Sequence, residues 1–415
     1  MTMSRAALGL ALALAACSNS SKVVGGGGGS SGSGGGAGTG GAAAAFTTFQ
    51  AADLVIGQAD FTSNGAPAAP SASATDYTPG SAAFDGTRLF LPDTYAQRAL
   101  GFSALPTANG AAAVVVLGQA AATTKAPGAT LAAFYLPQSL HSDGTTLAVA
   151  DAGNHRVLLL PTTSTSGAAA SVVVGWADGS TPASGCAADR LRSPASAFIA
   201  GGKLFVADRG NNRVLVWNTV PTAAGVAADL ALGQSSLTSC VANDSLRNGT
   251  VGLRSASTLQ GPSDVWSDGT RVMVVDRGNN RVLVWSKLPA ASGGAADLVV
   301  GQIAFSAARD DASASTLLQP GALASDGKRL FVADAGHNRV LGWNALPTAN
   351  GAAADVVLGQ GDFKHVSAND DAQAGKDGAA PTARTLAFPS GVTLAGSALV
   401  VSDTLNRRAL VFKAH

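Results

Sequence analysis

The chain contains no glutamate: all 26 of its acidic residues are aspartate. Glutamate is a helix former and sits poorly in strands, so its absence points to an all-β chain. It also removes glutamate as general acid, general base or metal ligand. A surplus of positive charge is lacking as well. Lys and Arg number 27, and setting aside Arg5 in the leading apolar segment leaves 26 basic against 26 acidic residues. That balance excludes the broad basic footprint by which proteins hold nucleic acid. Cysteine is scarce, with three in 415 residues, and so is histidine, with five.

No apolar run is long enough to span a bilayer. The longest near the start, Ala6–Ala16, follows Arg5 and ends in Leu14-Ala15-Ala16-Cys17. A positive residue, a short apolar stretch and small residues before a cysteine read as a signal segment. Its end resembles the lipobox of bacterial lipoprotein signal peptides. That resemblance implies residues 1–16 as signal peptide, cleavage before Cys17, and a lipid on Cys17. Residues 17–45 then form a lipidated cysteine with a Gly/Ser-rich tether, which holds the body roughly 30 Å from the membrane as a flexible coil. Ser18 resembles an outer-membrane sorting signal, so the expected location is the bacterial cell envelope, anchored through N-terminal lipid. The other two cysteines, Cys186 and Cys240, are disulfide candidates in an oxidising envelope, with a free buried pair as the alternative.

From residue 46 to 415 one frame recurs six times: Pro, seven residues on to Gly, seven to Asp, five to Arg. The frames open at Pro79, Pro137, Pro194, Pro262, Pro320 and Pro389. Their ion-pair candidates are Asp93 and Arg98, Asp151 and Arg156, Asp208 and Arg213, Asp276 and Arg281, Asp334 and Arg339, Asp403 and Arg408. Each frame reads as three strands: one after the Pro, one after an Asp-Gly-type turn, one from the Arg. A fourth apolar run ends in Gly, usually Gly-Gln. The sixth frame has no such run after it, and the missing copy stands at the other end, Asp53–Gln58. A unit split in this way closes a ring, which a linear solenoid does not require. The fold class is therefore all-β: a six-bladed β-propeller of four-stranded antiparallel blades, closed by its N-terminal strand.

The segment Phe205-Val-Ala-Asp-Arg-Gly-Asn-Asn-Arg-Val-Leu-Val-Trp217 resembles the NHL repeat, as do Val274–Trp285 and Phe331–Trp343. The resemblance runs from about Phe49 to Phe412; the units around Asp93 and Asp403 keep Asp and Arg but lose the Gly. It implies a propeller fold and does not fix a function, because NHL-type propellers include binding, sensor and lyase members. An Asp–Arg pair present in every unit is read as scaffold, with charge-assisted pairing across a tight turn.

Length variation points to one face. From the Gly of the fourth strand (D) to the next Pro, the gaps are 22, 19, 19, 29, 19 and 30 residues, so insertion is confined to the D–A connection. These loops share a face with the B–C turns, and insertions on one face of a repeat ring mark the binding face. That sector holds Arg190, Arg192, Arg209, Arg247, Arg254 and Arg277, a candidate patch for an anionic ligand, since guanidinium suits carboxylate, phosphate or sulfate.

No cofactor is expected. Calcium is the alternative weighed, on Asn243-Asp244-Ser245, Arg309-Asp310-Asp311 and Asn369-Asp370-Asp371, which lack the spacing of a calcium loop. His155 and His337 fill positions held by Asn in sister units, and no spacing gathers three histidines for zinc. No Gly-x-Ser-x-Gly elbow or Ser-His-Asp set is present, so no catalytic residue is assigned.

The expected function is non-catalytic binding of a protein, peptide or carbohydrate through the D–A loop face, by a monomer. The opposing readings are a propeller hydrolase or lyase with a metal in the central channel, where only Asp264 and His141 are ionisable, and a passive structural lipoprotein.

Overall fold

The computed structural model describes residues 45–76, 78, 80–176 and 183–415. Residues 1–44, with Cys17 and nearly all of the tether, lie outside the described residues, as do Tyr77, Pro79 and residues 177–182.

Each frame folds as one four-stranded antiparallel sheet, and there are six sheets. Blade 3 is representative: strand A Ser196–Ala200, strand B Lys203–Asp208, strand C Arg213–Trp217 and strand D Leu230–Leu232. Strand B ends on the repeated Asp and strand C starts on the repeated Arg, directly opposite in register in all six blades. Between them, a single 3₁₀ turn such as Arg209–Asn211 in blades 2 to 6, and a plain turn in blade 1, ends in a left-handed residue. That residue is Gln97, His155, Asn212, Asn280, Asn338 or Arg407, with φ of 52° to 57°. Asparagine is common there because its short polar side chain tolerates this region.

The strands read as continuous apolar runs because both faces of each blade are covered. In blade 3, Phe205 and Ala207 pack with Val272 and Val274 of blade 4, while Leu204 and Val206 face Leu159 and Val174 of blade 2. Six such apolar clusters fill the spaces between neighbouring blades. Each fully buried Val, Leu or Phe side chain stabilises by about 1.5–3 kcal/mol.

The ring closes where the chain's two ends meet. Leu54, Val55 and Ile56 pair with Val411, Leu410 and Ala409 as the outer strand of blade 6. The clasp reaches further than the Asp53–Gln58 run suggests. Ala45 and His415 exchange both main-chain hydrogen bonds, and the Phe49 N–H donates to the Val357 carbonyl of blade 5. Phe46 packs edge-on against Phe331, also in blade 5, with ring centroids 5.3 Å apart.

The repeated Asp and Arg form buried ion pairs in every blade, Nε to Oδ2 at 2.7–2.8 Å, with both side chains fully buried. The other Asp oxygen accepts a main-chain N–H from the preceding D–A loop, for example Arg192 N–H to Asp208 at 2.7 Å. The guanidinium donates its remaining N–H groups to loop carbonyls. Arg281 reaches Ser255 and Thr258 in the loop before its blade and Phe305 in the loop after it. The pairs of blades 1, 3, 4, 5 and 6 thus brace two successive D–A loops, while Arg156 of blade 2 bonds the loop before its blade, at Ala129, Thr130 and Ala133, and stacks on Trp176. Burial pushes the carboxyls of Asp151, Asp208, Asp276 and Asp403 upward, opposed by the arginine and the N–H donors that hold the ionised form. In blade 5, His337 takes the place of the Asn donor and bonds Asp334 through Nδ1 at 2.9 Å.

Cys186 and Cys240 are joined by a disulfide with Cα atoms 6.2 Å apart, linking the D–A loops on either side of blade 3.

Candidate functional site at the axial opening

Strand A of each blade lines the axis, and the residues two and four places after the frame Pro form successive tiers. The upper tier presents Ser81, Ser139, Ser196, Asp264 and Ala322 to the axial recesses and the lower His141, Phe198, Trp266, Ala324 and Thr393, while in blade 1 Ala83 is buried between blades 1 and 2 and Phe84 lines the recess instead. Small residues dominate the upper tier because neighbouring backbones nearly touch. A Cβ added at Gly80 would lie 2.2 Å from the Gln138 carbonyl oxygen, and one at Gly391 would lie 2.1 Å from that of Gly80.

Asp264 interrupts this tier with a carboxyl group that is 4% exposed. It accepts N–H bonds from Leu323 and Val265, both at 3.0 Å, and hydroxyl bonds from Ser196 and, at 3.5 Å, Ser81. Burial still dominates and pushes its carboxyl up to about 6, against the hydrogen bonds that favour the ionised form. Below it, His141 stacks on Phe198 with centroids 3.6 Å apart and accepts the Ile199 N–H at Nδ1. Burial pushes its imidazole down to about 3, so it is neutral and carries its proton on Nε2. The lower recess, of about 120 Å³, has His141, Phe198, Trp266 and Thr393 in its wall.

Above the tier, on the D–A and B–C face, Arg209 and Arg277 come together. They follow the repeated Asp of blades 3 and 4 and both line the narrow upper end of the axis, where Asp264 forms part of the wall. Both also line a wider recess of about 500 Å³, with Asn212, Gln260, Asn280 and Gln319. Arg277 donates to the Gln319 carbonyl at 3.0 Å and lies 5.4 Å from the Phe388 ring centroid, which aims its guanidinium across the opening.

The other four arginines of the expected patch do not line these recesses. Arg192 is exposed beside the 3₁₀ turn of blade 3 and depresses the pKa of nearby His155, secondarily to burial. Arg254 donates to the Ala307 carbonyl at 3.3 Å, and Arg190 gives its own carbonyl to Arg213. Arg247 belongs to the tip of the long loop before blade 4. Of the six arginines, the structure thus places Arg209 and Arg277 together in the wall of the axial recesses and the other four elsewhere.

Of the loop carboxylates weighed for calcium, Asp244 and Asp370 are turned inward and Asp311 is exposed. Asp244 accepts the Asn248 and Gly249 N–H groups, Asp370 those of Ala374 and Gly375, and Asp311 pairs with Arg309. Among the described residues, no group of three or more His, Cys or Asp side chains converges in a way that would hold a metal ion. His155 accepts the Ser193 N–H at Nδ1, the same bond that Asn212, Asn280 and Asn338 make from their side-chain oxygens to the following loop.

The repeated Gln of Gly-Gln had no reading in the sequence. Its side-chain amide donates to the carbonyl of the left-handed residue, as Gln234 does to Asn212 and Gln302 to Asn280. Its recurrence 22 residues after that position was the available signal.

Six four-stranded blades around an axis, closed by the N-terminal strand, define a six-bladed β-propeller. No family model and no curated relative matches the chain. Among solved structures it is similar to a structural genomics protein of unknown function from Bacteroides thetaiotaomicron, at 11% identity over 87% of this chain and 76% of that one, with a TM-score of 0.54. Hydrazine synthase from Kuenenia stuttgartiensis (14% identity, 85% and 98% coverage, TM-score 0.42) and streptogramin B lyase (10%, 85% and 96%, 0.40) resemble it more loosely. The first likeness shows the propeller fold; the other two carry no argument.

Proposed function

We propose that this chain is a cell-envelope lipoprotein, lipidated at Cys17, whose NHL-like propeller is a non-catalytic binding module for an anionic protein, peptide or carbohydrate ligand. The observation that carries this reading is the placement of Arg209 and Arg277. They come from equivalent positions of neighbouring blades and line one recess of about 500 Å³ on the face that carries all the insertions. A recess of that size suits a small ligand or the terminal groups of a larger one. Guanidinium pairs recognise carboxylate or sulfate through directed, charge-assisted hydrogen bonds.

One observation favours the enzymatic reading: a buried carboxyl on the axis with a pKa raised to about 6, which lies in the range of a general acid. The surroundings argue against it. Asp264 already accepts four hydrogen bonds from its own protein and is almost closed to solvent.

The test is calorimetry of the protein with polygalacturonate, a carboxylated glycan, and heparin, a sulfated one. The expected result is binding that weakens at least tenfold in Arg209→Asp and in Arg277→Asp, and is unchanged in Asp264→Asn. Binding indifferent to both arginines, or a hydrolytic or lytic turnover abolished by Asp264→Asn, overturns the proposal. Radiolabelled palmitate incorporated into the wild-type chain and lost in Cys17→Ala checks the anchor separately.

A further inference from the structure

Two D–A loops carry long insertions, and the fold builds them alike. In the loop before blade 4, Asn243 (φ 52°) precedes Asp244, whose carboxylate caps two N–H groups four and five residues on. In the loop before blade 6, Asn369 (φ 55°) precedes Asp370, which makes the same two bonds. Arg247 and Gln373 match at φ 55° and 54°, and Gly249 and Gly375 at 77° and 75°. Each loop is pinned to the 3₁₀ turn of its blade by a reciprocal amide pair, Asn243 with Asn279 and Asn369 with Asn406.

With Asn243 set on Asn369, the side chains diverge sharply. Leu246, Val251 and Leu253 stand where the second loop has Ala372, Asp377 and Ala379. Arg247 stands where it has Gln373, and Arg254, directly before Ser255, where it has Pro381, directly before Thr382, the second loop being one residue longer after Gly378. The three aliphatic residues are 76%, 74% and 80% exposed. Because the second loop makes the same turns as far as Gly378 without aliphatic side chains of this size, they are not needed for the loop's own fold. Asp244, the only carboxylate in the segment, is engaged by main-chain N–H groups, so the tip presents aliphatic side chains between two cations.

That combination fits a lipid surface better than a protein. Protein hot spots favour Trp, Tyr and Arg and under-use Leu and Val. A stable protein interface also needs about 800 Å² per partner, more than one loop tip offers. Insertion into the boundary between headgroups and acyl chains needs only buried apolar area plus attraction to anionic lipid. We propose that loop 243–254 docks on an anionic bilayer surface, with Leu246, Val251 and Leu253 inserted and Arg247 and Arg254 on the headgroup phosphates. The inference does not depend on what the axial recess binds.

The experiment uses the full chain carrying Cys17→Ser, so that no lipid is attached there. It is sedimented with phosphatidylcholine vesicles that either contain or lack phosphatidylglycerol. The variant L246A/V251D/L253A gives the loop the side chains its twin already folds with, and is expected to partition about 30-fold less onto the anionic vesicles. R247Q/R254A is expected to lose about fivefold per arginine on the anionic vesicles and nothing on the neutral ones. A third variant, L253W, reports insertion directly, because the native tryptophans are all buried. Its emission is expected to shift to the blue when anionic vesicles are added. Equal partitioning of the triple variant and its parent overturns the proposal, as does an L253W emission that ignores the vesicles. Loss of self-association in the triple variant with vesicle binding unchanged also overturns it, and makes the occupant a second copy.

Discussion

Arg281→Met keeps the length of the side chain and removes its five donors. Asp276 then retains the Gln260 N–H and the Asn279 amide but loses its cation, in a site with no solvent access. The carbonyls of Ser255, Thr258 and Phe305 lose their donor in the same step. Breaking one side of a buried pair costs about 3–5 kcal/mol, since the remaining charge stays desolvated. We expect about 4 kcal/mol for Arg281→Met and a similar loss for Asp276→Asn, which strands the guanidinium instead. The double variant should cost less than the sum by at least about 2 kcal/mol, because neither lone charge remains. Arg271→Ala is the control. Its pair with Asp268 has the same 2.8 Å distance, but its side chains are 35% and 31% exposed. It should cost under about 1 kcal/mol. Guanidinium denaturation, followed in parallel by tryptophan fluorescence and circular dichroism, gives the values and checks that the ring unfolds in one step. An Arg281→Met loss below about 1 kcal/mol, or a strictly additive double variant, would refute the bracing role.

Three further outcomes follow from the same structure. Asp264 has a folded-state pKa raised to about 6 from an unfolded value near 3.8, so the unfolded chain gives up its proton first and stability drains away as pH rises from about 4 to 6. Relative to wild type, Asp264→Asn should be neutral near pH 4 and more stable by about 3 kcal/mol at pH 7, measured by denaturant midpoints across that range; a gap that does not grow with pH contradicts the burial argument. Opening the Cys186–Cys240 link, which closes a separation of 54 residues, should cost about 4 kcal/mol in the chain-entropy model, read as a fall in denaturation midpoint for the Cys186→Ser/Cys240→Ser variant or on reduction. Val55→Asp places a carboxylate at a fully buried position in the closing strand and should abolish cooperative unfolding, whereas Asp53→Asn, two residues earlier and outside the strand, should be tolerated.

How much of this could be read from residues alone depends on whether the feature repeats. The blades, their Gly-bearing A–B turns, the buried Asp–Arg pairs and the closing strand are set by local chemistry that recurs six times, and repetition makes weak local signals add. The axial tier was partly legible: strand A segments show Asp264 as the odd member among serines, but its hydrogen bonds to Ser81 and Leu323 join residues far apart in sequence. Which of the six arginines share a recess was illegible for a related reason. Position within a D–A loop fixes the face but not the radius, so Arg209 and Arg277, on short turns next to the axis, converge, while Arg247 and Arg254 ride outward on a long insertion. The Phe49 bond to Val357 repeats the one that Gly110, Gly167, Gly293 and Gly351 make to the D strand of the blade before, but it was illegible because Phe49 stands where those units have glycine.

The clasp also decides how the propeller bears load. A pull on the chain ahead of Ala45 does not reach the six sheets at once. It meets the two main-chain bonds to His415, then the Phe49 and Gln50 bonds to Val357 and Lys413, and only then the register of Leu54–Ile56 on blade 6. These are three stops in series, on two different blades. The first two can yield and re-form while the ring stays closed, so tension along the N-terminal segment is absorbed at the seam before any blade is opened.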